Sequence, residues 1–88
     1  MLFMITYSLH PEHRDTAQAR FKATGGMPPA GVKMIGRWHL TAGLGGFVLA
    51  EASDAVALGK WMQQWTDVLT FTISPVGNDE DTMKVIGG

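Results

Sequence analysis

Gly36-Arg37-Trp38-His39 sets a fixed cation, the largest aromatic side chain and a titratable imidazole on three consecutive residues. In an extended segment alternate residues project to one side about 6–7 Å apart, so Arg37 and His39 share a face and Trp38 takes the other. An arginine so placed can hold an anionic group, and a histidine beside it can move a proton near neutral pH. The same pattern also describes an edge strand whose polar face meets solvent, with Arg37 paired to Glu51 across a hairpin. Two more residues complete the candidate set. Tyr7 carries a hydroxyl that needs a partner wherever it is buried, and Glu51 is a carboxylate suited to a base or, more simply, to a structural ion pair. Ligand binding is thus assigned to Arg37, His39, Tyr7 and Glu51, with His39 and Arg37 the candidates for any catalysis.

Other chemistries find less support. His10-Pro11-Glu12-His13 has an H-x-x-H spacing, but Pro11 breaks the regular helix that would put both rings on one face, and no third ligand is nearby in sequence. It reads as a solvated helix start, and no metal is expected. A lone His39 or His10 can ligate haem iron, yet nothing requires it, so no cofactor is expected. Gly43-Leu44-Gly45-Gly46 leads into a strand instead of a helix N-terminus and is followed by no Lys-Ser or Lys-Thr, which makes it a turn and not a phosphate loop. Ser8, Ser53 and Ser74 lie in no nucleophile elbow.

The elements that must hold these residues follow from periodicity. Leu2 to Leu9 is apolar on both faces, the mark of a central, doubly covered strand, which leaves the facing of Tyr7 open. Pro11 opens a helix running to about Thr24, with Ala17, Phe21 and Thr24 inward, and Gly25-Gly26 ends it before Pro28-Pro29. In Val32 to Leu40, alternation puts Val32, Met34, Gly36, Trp38 and Leu40 on one face and Lys33, Ile35, Arg37 and His39 on the other. Thr41 to Gly46 turns into a strand from Phe47 to Ala52, whose small side (Val48, Ala50, Ala52) admits a helix closely. Ser53-Asp54 caps a helix from Ala55 to Trp65, where Leu58, Trp61, Met62 and Trp65 recur at spacings of three and four. These tryptophans, with Trp38, are read as core, where cutting one to a small residue costs roughly 3–5 kcal/mol. Val68 to Val76 forms the last strand, Pro75 marking its end or an edge. Thr82 to Ile86 forms a short helix or a tail that clasps a partner.

The order β-α-β-β-α-β is the ferredoxin-like split βαβ, an α+β fold with a four-stranded antiparallel sheet and two helices on one face. Two helices cover only one side of a first strand that is apolar on both. A second copy packed sheet to sheet would cover the other. The expectation is therefore a homodimer, a dimeric α/β barrel, with Arg37 and His39 lining a cavity between the sheets.

Composition narrows the classes. The chain has 88 residues, 45% hydrophobic, which suits one domain over residues 1–88, with a core of about 2–76 and a tail of about 77–88. Seven basic and eight acidic residues leave a formal charge of −1, so there is no cationic patch to meet a phosphate backbone and no nucleic-acid partner is expected. The absence of cysteine excludes disulfides and thiolate chemistry and fits a reducing compartment, hence a cytoplasmic address. The apolar N-terminus lacks a positive flank and ends too soon to span a bilayer, so no membrane is expected among the partners.

With the first strand, "RWH", "GGFVLAEASDA", "KWMQQWTDVL" and "SPV" in view, the chain resembles a small bacterial family of uncharacterised proteins in the dimeric α/β-barrel superfamily. The likeness runs from "MLFMITYSLHPEHRD" through "DED". It implies the fold and a dimer. It leaves the function open, because that superfamily spans cofactor-free monooxygenases, muconolactone-isomerase-like enzymes, haem-handling proteins, small-ligand sensors and members of no known activity. It supplies no catalytic motif to place on these residues. Three functions stand: a binder of a small, partly apolar, anionic ligand; a cofactor-independent monooxygenase- or isomerase-like enzyme with His39 as acid/base; and a structural or regulatory dimer whose interior is filled by side chains.

Overall fold

The computed structural model describes residues 1–87. Its elements run β1 (Leu2–Ser8), a 3-10 turn (Pro11–His13), α1 (Arg14–Thr24), β2 (Val32–His39), β3 (Gly45–Ala52), α2 (Ala55–Met62), β4 (Thr70–Val76) and α3 (Asp79–Ile86). The four strands form one sheet in the order β2-β3-β1-β4, with every neighbouring pair antiparallel. This is the ferredoxin-like α+β arrangement. β1 is central, as its apolar character on both faces demands.

The parity of β1 is fixed by what lies on either side. Phe3, Ile5 and Tyr7 face α1 and α2, and Ile5 is fully buried. β3 offers that layer Val48, Ala50 and Ala52, all buried, and the small side chains let α2 bring Leu58, Trp61 and Met62 onto them. Asp54 caps α2 by accepting from the Ala57 N–H. A second cluster joins Ala17 of α1 to Trp65 and Val68 of the segment between α2 and β4. α2 itself ends at Met62. Successive turns then carry the chain, with the Trp65 N–H donating to the Met62 carbonyl and the Val68 N–H to Trp65. Trp65 thus reaches the core from a turn, and Val68 precedes β4 instead of opening it.

The largest departure from simple alternation is in β2. Met34 pairs with Ala50 and Gly36 with Leu49, so Ile35 is an extra residue, a β-bulge. The bulge reverses side-chain parity. Beyond it Arg37 pairs with Val48 and His39 with Gly46 on the helix side, while Trp38 pairs with Phe47 on the open face. Trp38 is therefore not core: it is 58% exposed, with its indole lying over Gly36. Leu2, Met4 and Leu49 share that open face, half-buried, beside the exposed Phe47. After β4, a reciprocal capping box between Asn78 and Asp81 starts α3, which buries none of its residues.

Candidate functional site

Three of the four side chains singled out in the sequence come together, on the helix side of the sheet. They line one end of a cavity of about 330 Å³, open to solvent on one side and bounded by α1, the sheet and the segment around Trp61 and Trp65. The cavity lies within one chain. It is not the space between two sheets anticipated from strict alternation in β2, because the Ile35 bulge turns Arg37 and His39 toward the helices.

β1 and β2 are not neighbours, yet Tyr7 Oη and His39 Nδ1 lie 2.6 Å apart. Both residues pair with Gly46 on the intervening β3, and the missing side chain there leaves the path. A Cβ at position 46 would fall 2.5 Å from Tyr7 Cε1 and 2.8 Å from Cζ. Burial is the first reason that the Tyr7 phenol is pushed above its usual pKa, and the Arg37 charge opposes it. The His39 imidazole is held below its usual value, first by burial and then by the Arg37 charge. At neutral pH the pair is thus uncharged and shares one hydrogen bond. The remaining ring nitrogen, Nε2, has no hydrogen-bond partner among the described residues.

Arg37 is set by the end of α1. Gly25 (φ 72°) closes that helix in the left-handed region, where glycine carries no steric penalty. Arg37 then donates to the carbonyls of Gly26 and Gly25 at 2.8 Å each, and the Trp61 indole N–H donates to the same Gly26 carbonyl at 3.3 Å. The guanidinium also lies 4.8 Å from the centre of the Phe21 ring, and that ring meets the His39 ring in a T-shaped contact with centres 5.2 Å apart. Burial lowers the Arg37 pKa, and the strength of its base keeps it charged. Phe21 and Gly46 complete the site, and neither was identified from sequence as part of it. Phe21 was legible only as one of the inner residues of α1, and Gly46 only as a turn residue.

Glu51 stands apart. It lies on the open face opposite Lys33 and Leu2, beside Met1 and Ser53, and forms no ion pair with Arg37. His10 and His13 each approach Glu12 at 3.6 Å on an exposed turn, and among the described residues no group of three or more His, Cys, Asp or Glu is placed to hold a metal. No described helix is long and apolar enough to cross a membrane.

Fold and site together define a ferredoxin-like chain with an apolar cavity beneath its helices and a Tyr-His-Arg group at one end. The chain belongs to the family described as a domain of unknown function (DUF3303), whose model matches residues 1–88. No curated protein matches it. Among solved structures it is similar to Rv0793 from Mycobacterium tuberculosis, with a TM-score of 0.52 and 14% identity over 89% of this chain and 97% of that one. At that identity the likeness speaks for the fold.

Proposed function

We propose that this protein binds a small, partly apolar molecule in the cavity between its sheet and helices. The observation that carries the reading is the cavity itself. Ligand sites are typically apolar with a few convergent polar groups, and here Tyr7, Arg37 and His39 converge on a wall otherwise built largely from aromatic and aliphatic side chains. Native mass spectrometry of freshly purified protein tests it. A defined mass retained by the wild type and lost in Gln18→Trp, which fills the cavity mouth, supports the reading. A mass retained by both proteins, or none bound by either in a screen of small organic molecules, overturns it.

The 2.6 Å contact of Tyr7 with His39 favours a second reading, a cofactor-independent enzyme of the monooxygenase or isomerase kind. Neutral His39 would take a proton from the ligand at Nε2, and Arg37 or Tyr7 would stabilise the oxyanion formed. Turnover that vanishes in His39→Ala while the fold persists separates this enzyme from a binder.

The reading includes a homodimer. The open sheet face carries Trp38 and Phe47, 58% and 42% exposed, and a second copy laid on it would bury both. Pairing would leave the cavity intact, since the two lie on opposite sides of the sheet.

A further inference from the structure

We propose that the cavity selects a monocarboxylate: a single negative charge on a flat apolar body small enough for a space of about 330 Å³. This rests on the cavity being a ligand site and deepens that reading. Among the residues lining the cavity, Arg37 is the one with a permanent charge, and none is Asp or Glu. Its guanidinium forms no salt bridge among the described residues. Its partners are two backbone carbonyls and the face of Phe21. Carbonyl dipoles orient the cation without neutralising it, so one uncompensated charge faces an apolar wall. A guanidinium has five N–H donors, and the two spent on Gly25 and Gly26 leave others for a ligand. The planar fork matches a carboxylate, and the carbonyls hold it in place before any ligand arrives, which lowers the ordering cost of binding.

Valence follows from the same count. A neutral ligand leaves the cation without a counter-charge. A dianion places its second charge against Trp61, Trp65, Leu69 and Phe71, where the guanidinium over the Trp65 ring, that of Arg20, is already paired with Asp67. One charge closes the account, and the aromatic wall favours an unsaturated body over a highly hydroxylated one.

Three probes of matched shape test this on the full chain: trans-cinnamate, cinnamamide and the dianion of 4-carboxycinnamic acid, titrated by tryptophan fluorescence and calorimetry at neutral pH. Cinnamate should bind about ten- to a hundred-fold tighter than either of the others, the range set by one charge-assisted hydrogen-bonded contact. Arg37→Met should abolish the preference, bringing cinnamate down to the level of the amide. Arg37→Lys, which keeps the charge without the fork, should retain part of the preference. Amide or dianion binding equal to cinnamate, or a preference that survives Arg37→Met, overturns the monocarboxylate while leaving the cavity reading in place. Failure of all three probes to bind overturns both. Arg37 also holds the end of α1, so if Arg37→Met does not fold, the wild-type ranking of the three probes decides.

Discussion

Tyr7 and His39 sit on strands that do not touch, and their contact crosses the backbone of Gly46 on the strand between them. Gly46→Ala would place a methyl carbon 2.4 Å from the Trp38 carbonyl oxygen and 2.5 Å from the Tyr7 ring, so the β2–β3 pairing must shift and the ring turn aside from His39. Overpacking of this kind costs about 1–3 kcal/mol. The expected outcome is a folded, less stable chain in which nuclear Overhauser contacts between the two rings are lost, and contacts that persist would show that the glycine is not what lets them meet. The His39 pKa gives a second expectation. Burial, and next the Arg37 charge, hold it below the ordinary 6.5. On acidification the unfolded chain therefore takes up a proton before the folded one does, and stability falls as pH drops from 6.5 toward the depressed value. Above 6.5 this residue contributes no pH dependence. His39→Asn should flatten the urea-unfolding free energy across that window. It should leave the loss at lower pH, where Asp67, held below the carboxylate range by its hydrogen bond to Arg20, becomes protonated. An unchanged slope in the variant would assign the transition to another group.

Periodicity read six of the elements, most clearly those with a covered face that a period of 2 or 3.6 records: β1 between two strands, β3 with its small inner side, α2 with Leu58, Trp61 and Met62. β2 defeated the same reasoning from Ile35 onward. Alternation is a rule about unbroken pairing, and one extra residue moves every later side chain to the opposite face. Arg37 and His39 were still recognised as a pair, since both lie beyond the bulge, but the side they face was hidden, and so was the exposure of Trp38. The register makes a sharp prediction. Removal of Ile35 leaves Met34 next to Gly36, already paired with consecutive residues Ala50 and Leu49 of β3. The deletion should therefore fold with Arg37 and His39 still facing the helices, as read by the Tyr7 to His39 ring contacts; loss of those contacts would mean that the bulge does more than offset the count. The tryptophans separate on the same grounds. Trp61 is 3% exposed and donates to the Gly26 carbonyl, so Trp61→Ala should cost about 3–5 kcal/mol, whereas Trp38→Ala should change the stability of an isolated chain little. Chemical denaturation of both at low protein concentration checks the contrast.

At the scale of the molecule, surface area argues for the proposed pairing independently of any one residue. The chain exposes 5910 Å², and a folded monomer of 9.5 kDa exposes about 5,050 Å². The radius of gyration is 14.4 Å where a compact chain of this length has about 12 Å. The excess is on the order of the 800 Å² that each partner buries in a stable interface. Two surfaces offer exposed apolar side chains for such an interface: the open sheet face with Trp38 and Phe47, and α3, where Met83, Val85 and Ile86 are 62%, 82% and 71% exposed. A helix with a complete capping box and no packing of its own is marginal in isolation, because short helices draw most of their stability from a buried face. The second copy supplies that face if α3 lies against it when the sheets meet. Sedimentation should then report a dimer at micromolar concentration. Trp38→Glu, which sets a charge in the middle of the apolar face, should yield monomers, and truncation before Asp79 should weaken the dimer without emptying the cavity. Because the cavity lies on the other side of the sheet, the Trp38→Glu monomer should bind cinnamate as the wild type does. A wild type that sediments as a monomer would remove the pairing and leave Arg37, Tyr7 and His39 where they are, so assembly and binding stand or fall on separate faces of one sheet.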